Sequence, residues 1–352
     1  MADGAEMSTW RVEVEQWFDE AKAVGPVRPS KRGGPSLTRR AFLLAGSMCV
    51  CCQPGLASAD APMVKRQAPG FYRLTLGDFE VTSLSDGTNM LPARKLLQGN
   101  PTRLEEMLKR NYLGDLVETS HNSFLVNTGA KLILVDAGAG SLLGPGTGHL
   151  LDNLRASGYQ PEQVDEIYLT HLHADHIGGL MAEGQRAFPN AIMRVDKREV
   201  EFWLSDANMR AAPEEAKRFF QAATISITPY QRAGKLIVFE GNTALVAGVR
   251  AQTAYGHTPG HTMYMVESGG EKLLLWGDVV HVAAIQFEDP TVTIRYDVNP
   301  SEAEHVHELA FAQAAGNGYM IGGAHISFPG LGHVRRDGAT TYTYVPLNYS
   351  FG

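Results

Sequence analysis

The sequence predicts an α+β fold, with strands and helices alternating along one domain that follows residue 60. Three observations support this prediction. Two apolar hairpins, at 124–135 and 263–276, are each joined by a short turn that contains glycine. Two segments with the apolar spacing or capping residues of a helix, at 149–156 and 301–316, accompany them. After residue 60 there is no repeat, low-complexity tract or long linker, so a single domain at 60–352 is the simplest organisation.

The first half of the domain is predicted to place a strand directly before a group of histidines. Phe124–Asn127 and Lys131–Val135 form the first hairpin, and the second of these strands is apolar enough to be buried. A helix should follow over His149–Ala156, with Gly158 ending it. Glu166–Thr170 then has the composition of a strand and leads straight into the histidines.

The second half shows the same arrangement. Met263–Val266 and Lys272–Trp276 form the second hairpin. A capping box at Ser301–Glu304 predicts the start of a helix that ends near Gly316. Tyr319–Ile321 is a short buried strand. Polar residues that can bind a ligand follow the strands in both halves, and loops at strand ends are where rigid scaffolds hold reactive side chains.

The clearest functional signal is a run of potential metal ligands that follows the strand at 166–170. Four of them lie within six positions, namely His171, His173, Asp175 and His176. The first two histidines project to the same side of an extended segment. Imidazole and carboxylate groups suit zinc, and also manganese or iron. A solvated polar loop is the alternative, and the spacing disfavours it.

Further motifs also contain aspartate or histidine beside small residues, and together with the run at 171–176 they resemble a known family. They are Val135–Gly138, Gly256–His261, Gly277-Asp278 and Ala324-His325. In this set and order the sequence resembles the metallo-β-lactamase superfamily over residues 65–350. The resemblance implies a four-layer αβ/βα sandwich with a site for two divalent metal ions at one edge of its two sheets.

The resemblance also implies roles for individual residues. One ion would be held by His171, His173 and His257, the other by Asp175, His176 and His325, and Asp278 would bridge them. The ions would hold a shared hydroxide, and Asp175 and Asp278 would orient it. Asp136 would orient one of the ligand histidines.

Other polar residues near these motifs have structural interpretations. In the family, the first histidine of the Gly256–His261 run coordinates, so His261 is expected to pack beside the ligands rather than bind. His305 and His307 are two positions apart on a predicted helix and are expected at the surface. Ser120–Asn122 is interpreted as a turn, with a role in the site as the alternative.

The substrate class is inferred from a narrower resemblance. Gly158–Ile167 and Phe328–Gly330 are among the stretches similar to methyl parathion hydrolase and to the lactonases and aryl-ester hydrolases related to it. By alignment, the expected pocket walls are Leu96, Leu143, Trp203, His281 and Tyr296. A bulky, polar wall near Asp278 disfavours a phosphotriester, so lactones or aryl and alkyl esters are the expected substrates. Phosphotriester hydrolysis is the alternative.

The charge and the cysteine positions argue against two other functions, nucleic-acid binding and thiolate-dependent β-lactam hydrolysis. The chain carries a net charge of −7, and the part after residue 59 carries −8, which disfavours nucleic acid as a partner. The cysteines, at positions 49, 51 and 52, precede the predicted domain, which disfavours a thiolate-dependent β-lactamase. β-Lactam opening by an all-histidine site and an inactive binding protein remain as further alternatives, although none of the expected ligands is missing.

Residues 1–59 have the features of an export leader. Thr38–Leu44 places two arginines before an apolar run, and Ala57–Ala59 has the small residues of a cleavage site, which is typical of a twin-arginine signal. The apolar run at 41–50 is too short to cross a hydrocarbon layer of about 30 Å, so no stable membrane anchor is expected. The predicted location is the periplasm, and relatives of this kind suggest a homodimer.

Overall fold

The computed structural model describes residues 61–350, so the predicted leader and its twin-arginine motif lie outside the described residues. The strands in this range are β1 Phe71–Leu76, β2 Phe79–Leu91, β3 Leu97–Gln98, β4 Val117–Asn127, β5 Leu132–Val135, β6 Glu166–Tyr168, β7 Met181–Ala182, β8 Gln185–Arg186, β9 Ile192–Asp196, β10 Leu236–Phe239, β11 Thr243–Val246, β12 Val249–Thr253, β13 Thr262–Ser268, β14 Glu271–Leu275, β15 Thr293–Ile294, β16 Met320–Gly322, β17 Leu331–Arg336 and β18 Tyr342–Pro346.

The helices follow the same alternation. They span Ala93–Leu96, Pro101–Arg110, Leu150–Ala156, Ala174–Ile177, Lys197–Trp203, Asp206–Ala211, Lys217–Arg232, Ala283–Gln286 and Pro300–Asn317, with shorter 3₁₀ turns at Pro161–Gln163, Gly178–Leu180, Glu214–Ala216 and Gly277–Val279. Among the helices of residues 61–350, none combines the length and apolar character needed to cross a membrane.

Two seven-stranded sheets form the centre of the fold. The first has the order β1-β2-β4-β5-β6-β9-β10, and the second has the order β11-β12-β13-β14-β16-β17-β18. Both predicted hairpins are confirmed, because β4 pairs antiparallel with β5 and β13 pairs antiparallel with β14. The α+β class predicted from the sequence is therefore correct.

Apolar side chains on both faces of the sheets produce four layers. In β5, Ile133 belongs to the core between the two sheets, while Leu134 belongs to a second core beneath the helices Leu150–Ala156 and Lys217–Arg232. A third core joins the other sheet to the helix Pro300–Asn317. The continuous apolar run of β5 is explained by this arrangement, since both of its faces are buried.

The long C-terminal helix begins earlier than its predicted capping box. Its cap is Asn299, whose side chain accepts a hydrogen bond from the backbone N–H of Glu302. Pro300 occupies the first turn, where its missing N–H removes no hydrogen bond. The prediction that His307 is a surface residue is wrong, because this ring is 2% exposed and its Nδ1 donates to the carbonyl of Pro290 at 2.9 Å. His305 is exposed, as expected.

The turn predicted at Ser120–Asn122 is also wrong. These residues lie inside β4 and pair with β2 around Gly87, where the register shifts between Ser85 and Gly87. Polar side chains in a strand interior resemble a turn in sequence, but here they are buried and face other polar groups. The irregular pairing allows the strand to continue past them.

The parallel strand pairs bring several loops to one edge. β5 and β6 are parallel neighbours that end at Val135 and Tyr168, and β14 and β16 are parallel neighbours that end at Leu275 and Gly322. Because parallel neighbours end at the same edge of a sheet, the segments that follow them emerge side by side. Six of the seven predicted ligands follow β6, β14 and β16, and His257 lies between β12 and β13.

Hydrogen bonds between the two halves hold these edges together. The hydroxyl of Tyr264 in β13 donates to the carbonyl of Leu169 at 2.6 Å. The backbone N–H of Asn122 in β4 donates to the carbonyl of Ala324 at 2.9 Å. Both bonds are buried, so they are little disturbed by competition from water.

The core between the sheets should dominate stability. Ile133→Ala removes a fully buried side chain and should lower the free energy of unfolding by about 2–5 kcal/mol, measured by urea denaturation. Ile225→Ala is the matched control, because Ile225 is 61% exposed, and it should change stability by less than about 0.5 kcal/mol. Equal effects of the two substitutions would contradict this account of the layers.

Candidate metal centre

The seven residues that the resemblance implied as ligands lie together in the structure. They come from the segment after β6, the short helix that follows it, the loop between β12 and β13, and the segments after β14 and β16, as His171, His173, Asp175, His176, His257, Asp278 and His325. They form two groups whose ligand atoms lie within 4.8 Å of one another, and Asp278 belongs to both.

The first group consists of three histidines and Asp278. His257 Nε2 lies 3.1 Å from His173 Nδ1 and 3.3 Å from Asp278 Oδ2. His171 Nε2 lies 3.6 Å from the same oxygen of Asp278. Ligand atoms around a tetrahedral zinc are separated by roughly 3.3 Å, because each bond to the metal is about 2.0–2.1 Å long. These spacings therefore fit a cation between the side chains.

The second group includes the other oxygen of Asp278. His176 Nε2 and His325 Nε2 lie 3.0 Å and 3.1 Å from Asp278 Oδ1. Asp175 Oδ2 lies 3.3 Å from His325 Nε2 and 3.6 Å from His176 Nε2. Asp278 Oδ2 is the oxygen nearest the first group, Oδ1 is nearest His176, and His325 Nε2 lies close to both, at 3.1 Å and 3.2 Å.

Several buried atoms at the centre of these groups have no hydrogen-bond partner. They include His171 Nε2, His176 Nε2 and Asp278 Oδ1. Leaving such atoms unpaired in the interior is unfavourable by about 1–3 kcal/mol each, and more for charged groups. Divalent cations held by the two groups would satisfy all three, so the donor set fits metal ions of the kind that imidazole and carboxylate bind.

The histidines of the site differ in protonation. Burial would lower the pKa of His176, His257 and His325, but the carboxylates around them raise it overall, so these rings are protonated unless a cation takes the place of the proton. Burial lowers the pKa of His171 and of His173 well below the ordinary value, so both rings are neutral and keep a lone pair at neutral pH. Burial alone would raise the pKa of Asp278, but the neighbouring charges of His176 and His325 hold it well below its usual range. Asp278 is therefore ionised.

Hydrogen bonds from outside the two groups orient the rings. Asp136 Oδ2 accepts from His176 Nδ1 at 2.8 Å, and its other oxygen accepts from the backbone N–H of Thr170. His257 Nδ1 donates to Asp297 Oδ1 at 2.7 Å. Asp136 was expected from the sequence in such a role, whereas Asp297 was missed, because no motif links it to a histidine 40 positions away.

His261 lies beside the groups and belongs to neither. Its Nδ1 donates to the carbonyl of Ala254 at 3.1 Å, so its Nε2 accepts from the backbone N–H of Asp278 at 3.1 Å. The ring therefore supports the backbone at Asp278.

A cavity opens beside the second group. Of the residues expected to form its walls, it is lined by Leu143, His281 and Tyr296. It is also lined by His121, for which a role in the site was the alternative, and by residues that the sequence did not indicate, including Asn89, Leu91, Thr119 and Phe219. Asp175 and His325 also reach it. One wall of the cavity is therefore formed by potential ligands.

Two expected wall residues do not line this cavity. Leu96 is 5% exposed and packs into an apolar cluster with Leu104 and Ile294. Trp203 is 4% exposed and lies behind His173, with ring centroids 5.2 Å apart. Both side chains point into apolar cores, a direction that alignment of positions does not reveal.

Two further histidines flank the site. His281 Nε2 lies 3.1 Å from Asp278 Oδ2, and its ring stacks on that of His325 at 5.2 Å. His121, in β4, lies with Nδ1 3.5 Å from Asp175 Oδ2, and its Nε2 donates to Asn89 Oδ1 at 3.2 Å. The position of His121 agrees with the alternative interpretation of Ser120–Asn122, a role in the site, rather than with a turn.

Solved structures of similar proteins share this fold. A hydrolase of the beta lactamase superfamily named AbOPH is 37% identical, and the match covers 81% of this chain and 100% of that protein, with a TM-score of 0.77. AidC, a dizinc quorum-quenching lactonase solved with a product, is 30% identical, and the match covers 80% of this chain and 98% of AidC, with a TM-score of 0.73.

Sequence relatives and a family profile agree with these structures. An N-acyl homoserine lactonase of Bacillus sp is 28% identical over 119 residues, which are 34% of this chain and 39% of that protein. One from Bacillus cereus is 26% identical over 144 residues, 41% of this chain and 49% of that protein, so less than half of either relative is matched. Residues 116–330 match the profile of the metallo-beta-lactamase superfamily. With its two sheets and its clustered histidines and aspartates, the chain belongs to the metallo-β-lactamase superfamily.

Proposed function

We propose that this chain is a hydrolase that uses two divalent metal ions to open lactones or to cleave aryl and alkyl esters. The proposal is carried by one observation, that two buried groups of histidine and carboxylate side chains share Asp278. The names of similar proteins add support, because AidC is described as a dizinc lactonase and the Bacillus proteins as lactonases. Zinc is the expected metal, with manganese and iron as alternatives.

The side chains of the site have distinct tasks in this proposal. When bound, two such cations lower the pKa of a shared water toward neutrality and polarise the substrate's carbonyl oxygen. Asp278 orients the attacking water from the buried side of the site, since its side chain is 3% exposed. Asp175, whose side chain is 19% exposed, orients it from the side of the cavity. No serine or cysteine nucleophile is required.

The composition of the cavity supports a small ester or lactone as substrate. Leu91, Leu143 and Phe219 offer apolar surface, which suits a flat ring or an acyl chain. His121 and His281 bring polar, bulky rings close to the carboxylates. A tetrahedral phosphotriester needs more room around the reacting atom, so it is the alternative substrate rather than the favoured one.

We also propose that residues 1–59 direct export to the periplasm and that the mature protein is a homodimer. The paired arginines and the small residues at 57–59 support export. N-terminal sequencing of protein from the periplasmic fraction and light scattering of the purified protein test these two points.

Metal content gives the first prediction. The purified protein should contain about two divalent ions per chain by mass spectrometry, and a strong chelator should remove the ions and the activity together. His257→Ala and His325→Ala should each lower the content to about one ion and reduce kcat/KM by at least about 100-fold. Full activity in metal-free protein would contradict the proposal.

The orientation of His176 gives the second prediction. In Asp136→Asn the new amide N–H₂ cannot accept a hydrogen bond, so either His176 or Thr170 loses its acceptor. Metal affinity should fall by about 10- to 100-fold, measured by competition with a chelating dye. Asp152→Asn is the control, because that side chain is 81% exposed and it should leave affinity unchanged.

Substrate preference gives the third prediction. The metal-loaded protein is compared on dihydrocoumarin, acyl-homoserine lactones, p-nitrophenyl acetate and a methyl phosphotriester. A lactone or ester should exceed the phosphotriester in kcat/KM by at least about tenfold. Asp278→Asn should abolish all of these activities in parallel if one site is responsible. If the phosphotriester were preferred, the alternative substrate class would replace the proposed one.

A further inference from the structure

A fully buried carboxylate outside the two ligand groups connects the loops that supply one of them. Glu199 lies in the helix Lys197–Trp203 and is 0% exposed. Its Oε2 accepts from the backbone N–H of Leu172 at 3.0 Å, and its Oε1 accepts from the backbone N–H of Gly260 at 2.7 Å. Both oxygens are thus engaged by main-chain donors from different loops.

The two donors belong to the loops that carry the histidines of the first group. Leu172 stands between His171 and His173, and Gly260 is three positions after His257. One carboxylate therefore connects the segment after β6 to the loop between β12 and β13. These two hydrogen bonds meet the segment after β6 at Leu172, between the first group's histidines and ahead of Asp175 and His176, and neither reaches the segment after β16.

The contact with Gly260 depends on close backbone approach. A Cβ at position 260 would lie 2.8 Å from the backbone nitrogen of Glu199 and 2.9 Å from its Cγ. The helix itself is anchored by Asp196, which caps it and also accepts from the hydroxyl of Tyr255 at 3.0 Å. Glu199 is therefore fixed by the capped start of its helix on one side and by the close contact with Gly260 on the other.

Burying this carboxylate is unfavourable unless its oxygens are paired. Burial raises the pKa of Glu199 to about 7, and the hydroxyl of Thr258 and the N–H groups of Gly260 and Leu172 oppose that shift. An ionised carboxylate only accepts hydrogen bonds, which matches two converging N–H donors. A glutamine at this position would turn its own N–H₂ toward one of them.

We propose that Glu199 is a positioning residue that sets the spacing of the two loops and thereby the affinity of the first group for its ion, while the second group is unaffected. This inference rests on the proposed two-ion function. The first group is His171, His173, His257 and Asp278, and the second is Asp175, His176, Asp278 and His325.

The test measures the two zinc dissociation constants of full-length Glu199→Gln by competition with chelators of graded affinity. Loss of a hydrogen-bonded support of metal ligands typically weakens binding by about 10- to 100-fold. One of the two constants should change by that amount, and the other by less than about threefold. Glu201→Gln is the matched control on the same helix, because its side chain is 63% exposed, and it should change neither constant.

Double variants assign the effect to one group. In a His325→Ala background the remaining ion belongs to the first group, so adding Glu199→Gln should weaken it by about 10- to 100-fold. In a His257→Ala background the remaining ion belongs to the second group, and the same addition should have little effect. Glu199→Asp, which keeps the charge but is too short to reach both donors, should give the same pattern if Glu199→Gln does not fold.

The failure of this inference is distinguishable from failure of the proposed function. If the unsubstituted protein binds none of zinc, manganese and iron, the two-ion function is wrong. If it binds two ions and Glu199 variants keep both affinities, or lose both equally, the positioning role of Glu199 is overturned. Equal losses would indicate a general structural role, which a matching fall in the unfolding temperature of the metal-free protein would also reveal.

Discussion

The site depends on one buried carboxylate. Asp278 has an oxygen within 3.0–3.6 Å of Nε2 of each of five rings, those of His171, His176, His257, His281 and His325. Packing so many imidazoles in the interior is tolerable only around a negative charge or a cation that they share. The residue before it, Gly277, has a φ of 55°, and a Cβ there would lie 2.8 Å from the ring of His261. The turn after β14 therefore requires glycine at position 277. This turn sets the position of the Asp278 carboxylate.

The layered fold explains why such a charge can be buried. Parallel neighbours within each sheet deliver their loops to one edge, and the hydroxyl of Tyr264 and the backbone N–H of Asn122 join the two sheets there. The polar residues are thus supported by strands whose other faces form apolar cores, such as Ile133 and Leu134 in β5. Rigid strands behind short loops hold ligand atoms at fixed separations, which a metal site needs before any ion is bound.

The sequence predicted those parts of the site whose signals lie within a few neighbouring residues. Short local patterns predicted the hairpins, the run at 171–176 and the ligands beside glycine. The structure brings the predicted ligands together. Glu199 and Asp297 were missed, and for His121 a role in the site was only the alternative to a turn, because each acts through contacts with distant segments that no local pattern reveals. The errors at Leu96 and Trp203 have a related cause, since alignment gives a position and packing decides where its side chain points.

The two ligand groups differ in how the protein surrounds them. The histidines of the first are at most 5% exposed and are backed by Glu199 and Asp297, whereas the second includes Asp175, with a side chain that is 19% exposed and faces the cavity. The second group also has two carboxylates where the first has one. A substrate entering the cavity therefore meets the more negative and more accessible side of the site, while the first group contributes His173 and the shared Asp278 to the cavity wall. This asymmetry makes rigid support more important at the first group, because its histidines are little exposed and solvent is poorly placed to replace a lost ligand contact.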